Sequence, residues 1–141
     1  MKKRNSHRRG AVAVEFAFAF LVLITLVFAA FEFFRINMLK HSVEHASYLA
    51  ARKGIILGAS SADVINAANE HLATLEVVGS SVTLNPSNIV DETQLIEVKI
   101  DVPYSGNSWI SPIYFNGSIS ARTRMLSERS AADMLKALPN K

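Results

Sequence analysis

The chain contains no cysteine, which excludes disulfide stapling and a lipid anchor on a thiol, so any folded part must rely on packing alone. It also lacks the common signatures of catalysis. No serine sits in a nucleophile-elbow pattern, and no glycine-rich loop carries the Lys-Ser/Thr pair that cradles phosphate. Two of its four histidines, His41 and His45, are spaced i, i+4, which suits a metal chelate on a helix. The metalloprotease glutamate is not in place, however, and no third ligand is in view, so solvated helix histidines are the better reading. The expectation is a protein that is not an enzyme and has neither cofactor nor metal. Acidic residues are missing from the first ten positions, where Lys2, Lys3, Arg4, Arg8 and Arg9 stand. The formal net charge of +3 therefore belongs to this leader, because the rest of the chain holds ten Lys/Arg against all twelve Asp/Glu. A nucleic-acid-binding face is not indicated, and no nucleic-acid partner is expected.

What the chain does have is one long apolar run. From Ala11 to Phe31 the only polar side chains are Glu15 and Thr25. As a helix this span is roughly 31 Å long, close to the roughly 30 Å hydrocarbon core of a bilayer. It has no polar stripe of the kind a soluble core helix shows. The segment reads as a membrane helix or a cleaved export signal. The basic flank predicts that the N-terminus stays cytoplasmic and that everything after the span lies outside.

Glu15 is the fifth residue after Gly10. A carboxylate inside a membrane helix is costly unless partnered. Cleavage between Gly10 and Ala11 would create an α-ammonium one helical turn from it, on the same face. Two such charges about 4 Å apart attract by roughly 4 kcal/mol at an effective dielectric near 20, before desolvation is subtracted. The amine could come from the same helix or from a neighbouring copy.

Gly10 with Glu15-Phe16, in this basic-then-apolar context, resembles the class III signal of type IV pilins. The resemblance implies a prepilin peptidase that cuts after Gly10, exposing Ala11, and a role for Glu15 and Phe16 in assembly. Further on, Glu32-Phe33-Phe34-Arg35 and Ala46-Ser47-Tyr48-Leu49-Ala50-Ala51-Arg52 are similar to the TadE-like pseudopilins of tight-adherence (Flp-type) pili. This likeness covers about the first 55 residues. Glu32 and Arg35 are the residues expected at the membrane interface. Implied partners are the prepilin peptidase, the major and other minor pilins, the inner-membrane assembly platform and membrane lipid.

Competing signals fit less well. An ordinary secretory signal has a shorter apolar region and a small-x-small site, for which Val27-Phe28-Ala29 is mediocre. Arg8-Arg9 is similar to a twin-arginine pair, but Gly10-Ala11-Val12 does not continue the pattern.

After Arg35 the helix is predicted to continue to Lys53, with Ile36, Leu39, Val43, Ala46 and Ala50 as an apolar stripe and Gly54 as the stop. Ile55-Ile56-Leu57 reads as a short buried connector. Ser60 with Asp63 begins a second helix, with Val64, Ala68, Leu72 and Leu75 inward, ended by Gly79. Ser81–Leu84 is a short strand that stops at Asn85-Pro86. Leu95–Val102 and Ser118–Met125 alternate as half-buried strands, with Ile96, Val98, Ile100 and Val102 on one face and Ile119, Ala121, Thr123 and Met125 on the other strand's inner face. Between them lies an irregular loop with Tyr104 and Trp109, either a contact patch or core anchors, and Asn116-Gly117 reads as a tight turn. Residues 130–138 are expected to form a short helix.

The predicted fold class is α+β: a long N-terminal helix, half transmembrane and half amphipathic, with a second helix and a small antiparallel sheet. Residues 1–10 form the leader, 11–35 the transmembrane helix and 36–141 an exported pilin-like domain. The function implied by the resemblance is that of a minor pilin of a tight-adherence system, serving pilus biogenesis and surface adhesion. Its place is the bacterial cytoplasmic membrane, with incorporation into a surface pilus. Heterotypic contact is expected at the Trp109 loop and along the Ile36–Ala50 face. The alternatives are a single-pass tethered binding or sensor module and a small secreted domain. A mature N-terminus at Ala11, at Met1 or near Ala30 separates the three.

Overall fold

The computed structural model describes residues 6–90, 92–109 and 112–127, with side chains from Gly10 onward in the first stretch. The expected C-terminal helix at 130–138 lies outside the described residues. Helix α1 runs unbroken from Ser6 to Gly54, 49 residues, or about 73 Å at 1.5 Å per residue. The chain is already helical at Ser6, five residues before Ala11, because Ser6-His7-Arg8-Arg9 contains no breaker and Gly10 weakens a helix by only about 1 kcal/mol. Arg52 and Lys53 in the last turn of α1 complement the helix dipole.

Helix α2, Ser61–Thr74, opens on a capping box: the Ser60 hydroxyl accepts the Asp63 N–H at 3.2 Å, and the Asp63 carboxylate accepts the Ser60 N–H at 2.9 Å. The Ser60 hydroxyl also donates to the Asp63 carboxylate at 2.7 Å, and this bond, then the Ser60 N–H, holds the Asp63 carboxyl below its ordinary pKa. The α2 stop differs from expectation. The helix ends at Thr74, and Glu76, with φ of 54°, takes the left-handed position that Gly79 was expected to supply. The Glu76 and Val77 N–H groups fold back onto the carbonyls of Ala73 and Leu72, at 3.0 Å each. This is a Schellman closure, completed before Gly79 is reached. Gly79, at φ of 71°, turns the chain into the sheet instead.

Strands β1 (Ser81–Asn85), β2 (Leu95–Pro103) and β3 (Ser118–Leu126) form an antiparallel meander in the order β1-β2-β3. The architecture is α+β, as the alternation and helical spacing predict. In β2 the inner residues Ile96, Val98, Ile100 and Val102 are fully buried. Its outer residue Glu97 pairs with Arg122 and Arg124 of β3, and Lys99 bonds Asp101 at 2.7 Å. The inner face packs on Leu39, Val43, Ala46, Ala50 and Ala51 of α1, with Val64, Ala68 and Leu72 of α2 closing the side. Each fully buried aliphatic side chain of Val or Leu size contributes roughly 1.5–3 kcal/mol. Ser47, the buried hydroxyl of this wall, is satisfied by Thr123 Oγ1 at 2.7 Å and the Glu44 carbonyl at 2.8 Å.

Three other expectations change. The Ile36–Ala50 face is not free for a partner helix, because the chain's own sheet covers it: Leu39, Val43, Ala46 and Ala50 are all 1% exposed or less. The connector Ile55-Ile56-Leu57 is not buried; only Ile55 packs on the core, while Ile56 and Leu57 stand 47% and 62% exposed on a surface turn. Such a reversal between two helices leaves room for one inward side chain. Asn116-Gly117 is not a tight turn either. Pairing of β2 and β3 ends at Pro103 and Ser118, so the connection spans 104–117, and Gly117 only receives the Tyr104 N–H at its carbonyl.

Candidate functional site

The first half of α1 presents apolar side chains in every direction. Val12, Val14, Phe16, Phe18, Leu21, Val22, Leu26 and Phe31 are each more than half exposed, and no residue of the most apolar stretch is buried within the chain. Such a surface is stable in hydrocarbon and not in water, since apolar area costs about 25 cal/mol per Å² to hydrate. The one long apolar helix among the described residues points to single-pass membrane anchoring.

Within it, Gly10 and Ala11 are helical, with open space around the Gly10 Cα. Glu15 is exposed and has no ion-pair partner among the described residues. Phe16 stacks on Phe20, one turn along, with ring centroids 6.1 Å apart. Thr25 is neutralised locally, donating its hydroxyl to the Leu21 carbonyl at 2.9 Å.

Glu32 and Arg35 meet the 104–117 loop where the apolar run ends. The Glu32 carboxylate accepts backbone N–H groups from Ile113, Tyr114 and Phe115 at 2.8–3.3 Å. Three N–H groups converging on one carboxylate make a charge-assisted cradle. Arg35 donates Nε–H to the Asn107 carbonyl at 2.7 Å and lays its guanidinium over Trp109, 4.9 Å from the ring centroid. Asn107 is the knot of the loop. Its side chain takes the Val78 N–H at 2.9 Å and donates to the carbonyls of Val78 and Pro103. These bonds satisfy a side chain that is nearly fully buried.

Tyr104 and Trp109, alike in the sequence reading, take opposite roles. Tyr104 is buried, packs edge-on against Phe115 at 5.4 Å and donates its hydroxyl to the Glu32 carbonyl at 3.3 Å. Burial, then the Glu32 charge, raises its phenol pKa, and Arg35 partly offsets this, so it stays a donor. Trp109 is 60% exposed.

The histidines also rearrange. His41 faces Glu44 on α1 at 3.4 Å, whereas His45 reaches across to His71 of α2, Nδ1 to Nε2 at 3.0 Å. The i, i+4 spacing pointed along α1 and gave no sign of this cross-helix pair. Burial, then the His45 charge, lowers the His71 pKa. Among the described residues no group of three His, Cys, Asp or Glu converges as a metal site.

No curated protein and no solved structure matches the chain. Residues 10–52, nearly the whole of α1, match the family model described as TadE-like protein, which is consistent with a TadE-like pilin of the tight-adherence system.

Proposed function

We propose that this chain is a minor pilin of a tight-adherence pilus, made as a precursor, cut between Gly10 and Ala11 by a prepilin peptidase and held in the cytoplasmic membrane with its C-terminal domain outside. The observation that carries the reading is the coincidence of two limits: the TadE-like match begins at Gly10, and the span from Ala11 to Phe31 behind it carries a single charged residue, Glu15, which has no ion-pair partner among the described residues. In this reading the new Ala11 amine, from the same or a neighbouring copy, neutralises Glu15 and brings the helices together. Ala13 and Ala17, a small-xxx-small pair, let another helix approach closely. Phe16 and Phe20 add packing surface beside Glu15.

The domain beyond Arg35 favours a minor rather than a shaft subunit. Major pilins of this type resemble a bare signal and helix, and a shaft of closely packed helices has little room for such a domain on every subunit. Surface adhesion and contact with other pilins and the assembly platform follow from the same assignment.

The test is the mature N-terminus. Sequencing the protein from membranes should find Ala11, and Gly10→Leu should leave a precursor about ten residues longer, because only glycine lets the backbone lie flat in a tight cleft. Wild type and variant that both begin at Met1 would remove the pilin reading.

A further inference from the structure

The loop between β2 and β3 has an unusual composition for the surface of an exported domain. No Asp, Glu, Lys or Arg falls between Asp101 and Arg122, and the stretch contains the chain's single tryptophan. Trp109, Ile113 and Tyr114 are 60%, 70% and 57% exposed. Isolated exposed apolar residues are ordinary, but a contiguous uncharged group marks an interaction surface.

The height of this group follows from its bonds. The apolar run fills the bilayer core from Ala11 to Phe31, so Glu32 stands at the boundary. Backbone groups of residues 113–115 are tied to the Glu32 carboxylate, and Tyr104 is tied to its carbonyl. Trp109 and Ile113 share a small cleft with Phe28 and Phe31, the last turn of the apolar run, and with Glu32 and Arg35 just above them. Phe28 lies about 6 Å below Glu32 along the helix axis. The loop therefore reaches down to the level where lipid begins. On α1 at the same height, Phe31, Phe33 and Phe34 are exposed. Aromatic side chains gather at the headgroup layer because one end of the environment is apolar and the other wet.

We propose that Trp109, Ile113 and Tyr114 lie in the interfacial layer of the same membrane that α1 crosses, making the loop a second, lipid-contacting anchor that seats the domain on the bilayer. The inference rests on the membrane-spanning reading of α1. It assigns the loop to lipid rather than to another pilin, the contact suggested by composition alone.

Because Trp109 is the sole tryptophan, its fluorescence reports directly. The full chain is reconstituted in phosphatidylethanolamine–phosphatidylglycerol vesicles whose acyl chains carry bromine near the headgroup or near the chain end. Trp109 should be quenched more by shallow than by deep bromine and be poorly accessible to iodide. Ile113→Glu, which puts a charge into that layer, should shift Trp109 toward iodide. A second probe, Phe20→Trp with Trp109→Phe, should be quenched best by deep bromine. Trp109 open to iodide and untouched by either lipid, with the residue-20 probe still deep, overturns the anchor, leaves the span standing and frees the loop for a protein partner. Absence of lipid quenching at both positions overturns the span and the anchor together.

Discussion

The carboxylate of Glu32 lies 2.8 Å from the backbone nitrogen of Phe115, a residue 83 positions further along the chain. Hydrogen bonds to charged groups contribute about 1.5–3 kcal/mol each, less where water competes. Glu32→Gln keeps the shape but turns one acceptor oxygen into a donor facing N–H groups. Hydrogen exchange should speed up at Ile113, Tyr114 and Phe115, with the β2 amides of Val98 and Ile100 unchanged. Unaltered protection at 113–115 would show that the loop is held without the Glu32 carboxylate.

Glu76 holds the left-handed position after α2. Non-glycine residues there cost of order 1 kcal/mol. Glu76→Gly should raise stability by about that amount, seen as an upward shift of the thermal midpoint. A downward shift would mean that the glutamate side chain outweighs its backbone strain.

A methyl group at Gly54 would meet Val64 Cγ2 at 2.9 Å and Ile96 Cδ1 at 3.2 Å. Gly54→Ala should cost about 1–3 kcal/mol by overpacking the junction of α1 with α2 and the sheet. Combined with Val64→Ala it should cost less than the two single changes added, since the second removes the obstructing methyl. Additive losses would place the strain elsewhere.

His71 has a folded pKa below its ordinary 6.5, through burial and the nearby His45. The folded state therefore disfavours the charged form. Its contribution to stability is complete above about pH 6.5 and is lost as pH falls from there toward the lowered folded pKa. Unfolding measured between pH 7.5 and 5.5 should show that decline, and His71→Gln should flatten it. An equal slope in the variant would move the titration to another group.

Glu15→Val makes the span more apolar, so insertion should persist or improve, and cleavage should persist, because the Gly10–Ala11 bond lies a full helical turn before the substituted residue. Association with partner pilins should fail. Normal co-purification of Glu15→Val with the other subunits would remove this residue's assembly role.

The sequence made the core legible because its residues follow two periods. Leu39, Val43, Ala46 and Ala50 recur at helical spacing, and Ile96 through Val102 alternate; all are buried as read. The α2 start was equally plain, because Ser60 and Asp63 bond only to each other's neighbourhood in the chain. What was not legible depends on contacts distant in sequence. The loop knot at Asn107, the cradle at Glu32 and the His45–His71 pair each join elements 26 or more residues apart. Glu32 and Arg35 stood out as interface residues, but their hydrogen-bond partners in the loop were mainly backbone groups, which leave no trace in residue identity. Glu76 was missed for a related reason: the register of the α2 carbonyls, rather than the nearest glycine, decides where the left-handed residue falls.

Helix α1 is at once the wall of the distal core and the apolar span, with no break from Ser6 to Gly54. The domain grips it at two heights, around Leu39–Ala51 and at Glu32–Arg35. Such an object behaves as a lever. Gly54 lies about 35 Å beyond Phe31 along the axis, so a tilt applied to the span is passed to the sheet through continuous helix with no hinge between them. A subunit drawn upward by its membrane half would carry its domain along as one stiff body, with the force borne by helix hydrogen bonds instead of being absorbed in a linker.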